Sequence, residues 1–132
     1  MNFYLNVASI KHHIFSGLVK KICINGFEGA LNIYPGHSPL LTMVNPGLLN
    51  IFEKDNKNIL IYLDRGALEV QPNTTYIVVR EAIFIRDLDY HQLLNRYKEI
   101  NSQISSVPKN EIQFLKDQLV KIKIQLNLLN KI

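Results

Sequence analysis

The sequence has one cysteine, no tryptophan and no long apolar run. Cys23 alone cannot close an intramolecular disulfide or form a thiolate cluster for zinc or iron. Apolar stretches such as residues 59–63 and 82–85 are far shorter than the roughly 20 residues of a membrane helix. The first residues, MNFYLN, lack the pattern of a secretory signal. We therefore expect a cytoplasmic chain that does not cross a bilayer.

Charge of either sign is also not concentrated in one segment. The net charge is +4, with 8 basic and 6 acidic groups in residues 1–86 and 7 basic and 5 acidic groups in residues 87–132. Each part therefore carries +2 (8 − 6 and 7 − 5). Proteins that bind nucleic acid usually concentrate basic charge on one face or segment. The charge distribution therefore does not favour a nucleic-acid partner.

Turn-forming residues interrupt the first 86 residues at short intervals, and between them lie segments of four to eight residues rich in Ile, Val, Leu, Phe and Tyr. Phe3, Leu5 and Val7 alternate with polar Asn2 and Asn6, as in a half-buried strand. Residues 59–63 are apolar on both faces, which predicts a central or covered strand. This rhythm is typical of an antiparallel β-sandwich or barrel.

At Asp87 the apolar period changes from strand to helix spacing. One helix is predicted from about residue 89 to 102, with Asp87 or Asp89 as its N-terminal cap. Asn110 followed by Gln113 resembles a capping box for a second helix. That helix has apolar residues at alternating steps of three and four, which we call its seam: Ile112, Leu115, Leu119, Ile122, Leu126 and Leu129. The prediction is an all-β sandwich, residues 1–86, followed by an antiparallel helical hairpin, residues 87–132.

The second helix has more apolar residues than its seam can bury. Phe114, Val120, Ile124 and Leu128 lie off the seam. Burying one large aliphatic side chain is worth about 1.5–3 kcal/mol. The hairpin is therefore expected to need another partner, and alternative partners of similar affinity are the condition for a conformational switch.

Residues able to carry catalysis are few. His37 follows a Tyr-Pro-Gly turn without a Ser or Asp at a catalytic spacing, and His12, His13 and His91 fit loop or surface positions. No phosphate-binding loop, HExxH motif or GxSxG motif occurs. The sequence predicts no active site and no metal site.

Residues 26–41, GFEGALNIYPGHSPLL, resemble the signature of the epsilon subunit of bacterial F-type ATP synthase. Supporting segments occur in the same order: FSG at 15–17, NPG at 45–47, GALEVQP at 66–72, DLD at 87–89 and ISS at 104–106. The resemblance spans nearly the whole chain.

The resemblance implies a non-catalytic rotor subunit that couples proton flow through the membrane ring to ATP synthesis, without a cofactor. It implies that the sandwich binds the gamma subunit and the c-subunit ring, and that the hairpin either folds on the sandwich or extends into the alpha/beta catalytic head and inhibits ATP hydrolysis. The location implied is the cytoplasmic face of the bacterial inner membrane. By the resemblance, Ser9 and His37 lie near the rotor ring and gamma, and Ser106 lies at the hairpin bend facing the catalytic subunits.

Some positions depart from the family pattern. Asn32 and Asn73 stand where relatives often have glycine, and we expect them to adopt the same left-handed turns. Ala30 stands where some relatives have a glutamate facing the rotor ring. The ATP motif of some relatives is degraded here to LDYHQL at 88–93, in which Asp89 is kept and Gln92 replaces an arginine. Loss of the guanidinium predicts weak or absent nucleotide binding.

Two other functional hypotheses remain open from the sequence. One is a free-standing β-domain whose basic hairpin, with Lys116, Lys121, Lys123 and Lys131, binds nucleic acid or an acidic protein. Nucleic-acid binding of this kind would weaken steeply with salt. The other is an enzyme built around His37.

Overall fold

A computed structural model of the protein describes residues 1–26 and 28–131, without the side chain of Asn56. Phe27, within the signature segment, and Ile132 lie outside the described residues. The strands are β1 (Phe3–Ser9), β2 (His13–Val19), β3 (Lys21–Gly26), β4 (Gly29–Ile33), β5 (Leu40–Val44), β6 (Gly47–Phe52), β7 (Asn58–Leu63), β8 (Gly66–Val70), β9 (Thr74–Val79) and β10 (Ala82–Phe84). The helices are α1 (Tyr90–Gln103) and α2 (Lys109–Lys131). The predicted fold class, a β-sandwich followed by a helical hairpin, is confirmed.

The strands form one continuous ladder in the order β10-β7-β6-β3-β5-β8-β9-β1-β2, with β4 paired to β3. Neighbouring strands are antiparallel, except that β1 and β9 run parallel, with Leu5 opposite Thr75 and Ser9 opposite Val79. This parallel pair joins the start of the strand region to its end. Sequence spacing alone could not show it, because parallel pairing needs a long connection between the two strands.

The sandwich core follows from the period-two alternation. In β1, the side chains of Phe3, Leu5 and Val7 are buried, and the residues between them are exposed or half-buried. Burial of such side chains is worth about 1.5–3 kcal/mol each. The core consists of Phe3, Leu5, Val7, Val19, Ile22, Ile24, Ile33, Val44, Leu49, Ile51, Ile61, Leu63, Leu68, Val70, Ile77 and Val79.

Strand β7 is buried on both faces towards its end. Ile61 and Leu63 belong to the core, while Tyr62, on the opposite face, is also 0% exposed. Residues 59–63 therefore form a covered strand, as their unbroken apolar pattern predicts.

Gly66 is required by close packing between β8 and β9. A Cβ atom at this position would lie 2.1 Å from the carbonyl oxygen of Val78 and 2.5 Å from Cα of Val79. Since these are backbone atoms, a side chain could be accommodated only if the strands moved apart.

The expectation for Asn32 and Asn73 was wrong. In the described part of the chain, the only non-glycine residue with positive φ is Asp55, at 63°. Asn32 is extended in β4 opposite Cys23, and its Oδ1 accepts a hydrogen bond of 2.7 Å from the Cys23 Sγ. A strand position needs no left-handed backbone, so the place of Asn32 in the fold does not depend on that conformation.

The chain divides into two compact units, Met1–Arg86 and Asp87–Ile132. In the second unit, Asp89 is the N-cap of α1, and its side chain accepts a hydrogen bond from the backbone N–H of Gln92. The predicted capping box of α2 is wrong. The helix already begins at Lys109, the Glu111 N–H donates to the Pro108 carbonyl, and the Gln113 side chain donates forward to Asp117.

Burial along α2 agrees in part with the predicted seam. Ile122 is buried, and the other seam residues are half-buried. Among the off-seam residues, Phe114 is 63% exposed and Val120 is 59% exposed, whereas Ile124 and Leu128 are half-buried. Neither α1 nor α2 has the length and apolar character that crossing a membrane requires, as judged over the described residues.

Candidate functional site

The outward side of strands β5, β8 and β9 carries an apolar surface, which we call the outer face and define by Leu41, Met43, Tyr76 and Val78. Their side chains are 72%, 54%, 40% and 52% exposed, respectively. They are exposed because the alternate residues of the same strands, including Val44, Leu68 and Ile77, point into the core. The same strands thus supply both the core and the outer face.

The strand register brings the outer-face residues together. Met43 pairs with Ala67, and Ala67 pairs with Val78, so these three side chains form one row across the sheet. The adjacent row contains Leu41, Glu69 and Tyr76. Contiguous exposed apolar surface of this kind marks an interaction site, so the outer face is suited to binding a protein partner.

His37 lies in the loop between β4 and β5. Pro35 and Gly36 form a tight turn, closed by a 3.1 Å hydrogen bond from the His37 N–H to the Tyr34 carbonyl. Gly36 has φ of 82°, a conformation that glycine adopts without steric cost. The His37 Nδ1 lies 2.7 Å from the Ser38 carbonyl. Because a carbonyl only accepts, Nδ1 is the donor in this contact.

Ser9 closes the turn between β1 and β2. Its hydroxyl accepts a 3.1 Å hydrogen bond from the His12 N–H, and its own N–H donates to the His12 carbonyl at 2.8 Å. In the sheet, Ser9 is level with Val44, whereas Leu5 is level with Leu40, the first residue after the His37 loop. Ser9 and His37 therefore lie at opposite ends of the sandwich and cannot share one small site.

Ser106 belongs to the other unit, at the bend between α1 and α2. It is exposed, and its hydroxyl donates a 3.0 Å hydrogen bond to the Gln103 carbonyl. Ala30 is exposed in β4, opposite Asn25. The contacts that the structure gives for Ser106 and Ala30 are with uncharged residues, Gln103 and Asn25 respectively.

The degraded ATP motif forms a helix cap. The Asp89 carboxylate accepts a 3.1 Å hydrogen bond from the Gln92 N–H, and the Gln92 side chain is exposed. An aspartate at this position satisfies one of the unpaired N–H groups of the first turn and interacts favourably with the helix dipole. The geometry thus accounts for Asp89 as a structural residue.

The His13 side chain makes a contact at the surface of the sandwich. His13 Nε2 lies 3.0 Å from the Ser16 hydroxyl, and both residues are exposed. Over the residues that the structure describes, no group of three or more His, Cys, Asp or Glu side chains is arranged to hold a metal ion.

The outer face was missed by the sequence interpretation, although a signal was present. Strands β5 and β9 contain adjacent apolar residues, Leu40–Leu41 and Met43–Val44 in one and Ile77–Val78–Val79 in the other. Such strands are apolar on both faces, and the sequence cannot say which of the two faces remains exposed.

Comparison with known proteins agrees with this fold. A chain of the Euglena gracilis mitochondrial ATP synthase, solved as OSCP/F1/c-ring in rotational state 1, has 18% identity and a TM-score of 0.83, over 97% of this chain and 81% of that chain. A chain from the central stalk and c-ring of the Tetrahymena thermophila mitochondrial ATP synthase has 17% identity and a TM-score of 0.55, over 90% of this chain and 97% of that chain. At these identities the likeness concerns the fold.

The family assignment rests on the sandwich itself. The family described as ATP synthase, Delta/Epsilon chain, beta-sandwich domain matches residues 2–85, which include all of β1 to β10 and the turns between them. The chain therefore belongs to the delta/epsilon chain family of ATP synthase.

Proposed function

We propose that this chain is a non-catalytic central-stalk subunit of ATP synthase whose sandwich binds the gamma subunit through the outer face. Family membership supports a role within this complex. The observation that carries the proposal is the exposure of Leu41, Met43 and Val78 on neighbouring strands, because a folded sandwich has no need of this apolar surface. Covering it with a partner stabilises the complex by removing apolar area from water.

The finer parts of the proposal concern where the sandwich and the hairpin bind. We infer that Ser9 and the His37 loop lie near the c-subunit ring and the gamma subunit. The hairpin, with Ser106 at its bend, reaches the alpha/beta catalytic head and inhibits ATP hydrolysis. The complex couples proton flow to ATP synthesis, and the chain is held peripherally at the cytoplasmic face of a bacterial inner membrane. The exposed Phe114 and Val120 support a further partner for the hairpin.

The test is binding of the full chain to purified gamma subunit by calorimetry. The double variant Leu41→Ser, Val78→Ser removes two apolar anchors, each worth about 1.5 kcal/mol or more. The dissociation constant for gamma should therefore rise about a hundredfold or more. The matched control, Phe114→Ser with Val120→Ser, alters two residues that are 63% and 59% exposed but lie outside the outer face.

The control variant is expected to bind gamma like the original chain. Absence of binding by the original chain would disprove the proposal. Equal weakening in both double variants would show that general apolar character, and not the outer face, is responsible.

A further inference from the structure

One carboxylate lies in the middle of the outer face. Glu69 is in β8, where its ladder neighbours are Leu41 on β5 and Tyr76 on β9. Ala67, two residues earlier on the same side of β8, has the other two residues of the outer face as its ladder neighbours. Glu69 is exposed, so its carboxylate stands in water among the side chains that define the outer face.

This position is unusual for a carboxylate in the sandwich. Of the acidic residues in the strand unit, Glu69 is the one that lies within a strand, and the others lie between strands: Glu28, Glu53, Asp55, Asp64 and Glu81. Strands β5, β8, β9, β1 and β2 run side by side in this order. All residues of these five strands are described, and Glu69 is the only Asp, Glu, Lys or Arg among them. The surface that surrounds Glu69 is therefore otherwise free of these charged residues.

The carboxylate is oriented within the chain but has no charged partner there. The Gln71 side-chain Nε2 donates a hydrogen bond to the Glu69 Oε1. In the described part of the chain, the salt bridge that the structure gives joins Arg80 to Asp64, and no lysine or arginine pairs with Glu69. Each carboxylate oxygen has two lone pairs, so Glu69 can accept further hydrogen bonds from another molecule.

A partner that covers the outer face removes water from Glu69. Loss of hydration from an ionised carboxylate is strongly unfavourable unless an opposite charge compensates for it. The cores of protein interfaces are accordingly depleted in charged residues, with arginine as an exception. The outer face therefore fits a partner that brings a positive charge to Glu69, and it disfavours a partner surface that is wholly apolar or acidic.

The surroundings of Glu69 fit an arginine better than a lysine. A planar guanidinium donates two parallel N–H groups to a carboxylate, whereas a lysine ammonium acts as a point charge. A guanidinium also stacks on aromatic rings, and the ring of Tyr76, which is 40% exposed, adjoins Glu69 across the β8–β9 ladder. Ala67 carries a single methyl group, which leaves space for the stem of an arginine side chain to pack on the apolar residues.

We propose that Glu69 determines the specificity of the outer face by pairing with an arginine of the gamma subunit. This pairing rests on the proposed function, in which gamma covers the outer face. Leu41, Met43 and Val78 supply apolar contact area, and Glu69 disfavours surfaces that lack a cation at this position. An unpaired charge in the wrong complex is a recognised source of specificity, because specificity is a difference between affinities.

The first experiment is calorimetric titration of purified gamma with the full chain and with its Glu69→Gln variant. This substitution keeps the size and shape of the side chain and removes its charge. Loss of one partner from a buried charge pair weakens binding strongly, so the dissociation constant should rise about thirtyfold or more. Urea unfolding of the variant should match that of the original chain, because Glu69 is exposed and has no cationic partner in the described part of the free chain.

The control variant Glu99→Gln removes the same charge from an exposed position of α1 and should bind gamma like the original chain. Equal weakening in the two variants would overturn the pairing, because net charge would then explain the loss. Unchanged binding by Glu69→Gln would also overturn it and would leave gamma binding through the outer face intact. Absence of binding by the original chain would overturn both the pairing and the proposed function.

A charge exchange identifies the residue of gamma. Glu69→Lys places a cation opposite the expected arginine and should bind gamma more weakly than Glu69→Gln does. Each arginine of gamma is then replaced singly by glutamate, and one of these gamma variants should restore binding to the Glu69→Lys chain. Restoration by replacement of a lysine, or by none of the arginine replacements, would overturn the assignment to an arginine.

Discussion

Tyr62 is a buried phenol on the side of β7 that faces away from the core. It is 0% exposed, and its hydroxyl has no hydrogen-bond partner in the described part of the chain. Burial raises the pKa of Tyr62 above its ordinary value, the carboxylates of Asp64 and Glu81 raise it further, and Arg65 opposes them. A buried hydroxyl without a partner costs about 1–3 kcal/mol, so the hydroxyl group of Tyr62 lowers the stability of the sandwich even in its neutral form.

The first prediction concerns the pH dependence of stability. Because the folded-state pKa of Tyr62 is raised, the folded chain holds the phenol proton more tightly than the unfolded chain does. The stability that this difference contributes is fully present below the unfolded pKa of about 10 and is lost as pH rises above that value. Tyr62→Phe should therefore unfold with a flatter pH dependence above about pH 10, and it should be about 1 kcal/mol more stable at neutral pH. Urea denaturation at neutral and alkaline pH measures both effects.

The control for this prediction is Tyr76→Phe, because Tyr76 is 40% exposed on β9. Its stability should follow that of the original chain at every pH. If both phenylalanine variants lost alkaline sensitivity equally, burial of Tyr62 would not be the cause.

Among the elements, α1 carries the remains of the ATP motif. The Asp89 carboxylate is engaged in capping the helix, and Gln92 brings no positive charge to a phosphate. We predict no ATP binding at millimolar concentration in calorimetry with the full chain. Asp89→Ala should lower helix stability by about 1 kcal/mol through loss of the cap and leave the ATP titration unchanged.

Gln92→Arg provides the complementary measurement. It restores the guanidinium, and ATP binding that became measurable in this variant would attribute the loss to this one residue. Millimolar or tighter binding by the original chain would contradict the prediction.

The elements differ in how far the sequence could predict them. The alternation in β1 and the helical period after Asp87 are local signals, and both gave the right element. The start of α2 was misjudged because Asn110 and Gln113 have capping chemistry, whereas the Pro108 carbonyl already serves the Glu111 N–H. The parallel pairing of β1 with β9 and the exposure of Val78 depend on tertiary packing, which no local pattern contains.

The candidate sites were predictable only in part. The resemblance singled out Ser9, His37 and Ser106, and the roles it implies for them stay predictions. The outer face requires the strand register, because Met43 meets Val78 through Ala67. This surface joins residues that are distant in sequence.

For the whole molecule, the two units differ in how much they bury. The core of the strand unit lies between Phe3 and Val79 and includes no residue of the hairpin. In the hairpin, Ile100 and Ile122 are buried, and Phe114 and Val120 remain largely exposed. The strand unit thus has a core of its own, and the hairpin keeps apolar surface for a partner.

The last prediction follows from this difference and separates folding from regulation. A chain of residues 1–86 should unfold cooperatively in urea and should bind gamma as tightly as the full chain, because the core and the outer face are both retained. When it replaces the full chain in an assembled ATP synthase, ATP hydrolysis should rise, since the hairpin proposed to inhibit the catalytic head is missing.

The outcomes are distinguishable because each measurement depends on a different part of the molecule. Non-cooperative unfolding of residues 1–86 would show that the sandwich needs the hairpin for stability. Cooperative unfolding and normal assembly without a rise in hydrolysis would show that the hairpin is structural and does not inhibit. The full chain with Phe114→Ser and Val120→Ser tests the same idea without truncation, because it keeps both helices and removes two exposed apolar contacts. If those contacts hold the hairpin against the catalytic head, this variant should raise hydrolysis in the same direction as the truncation.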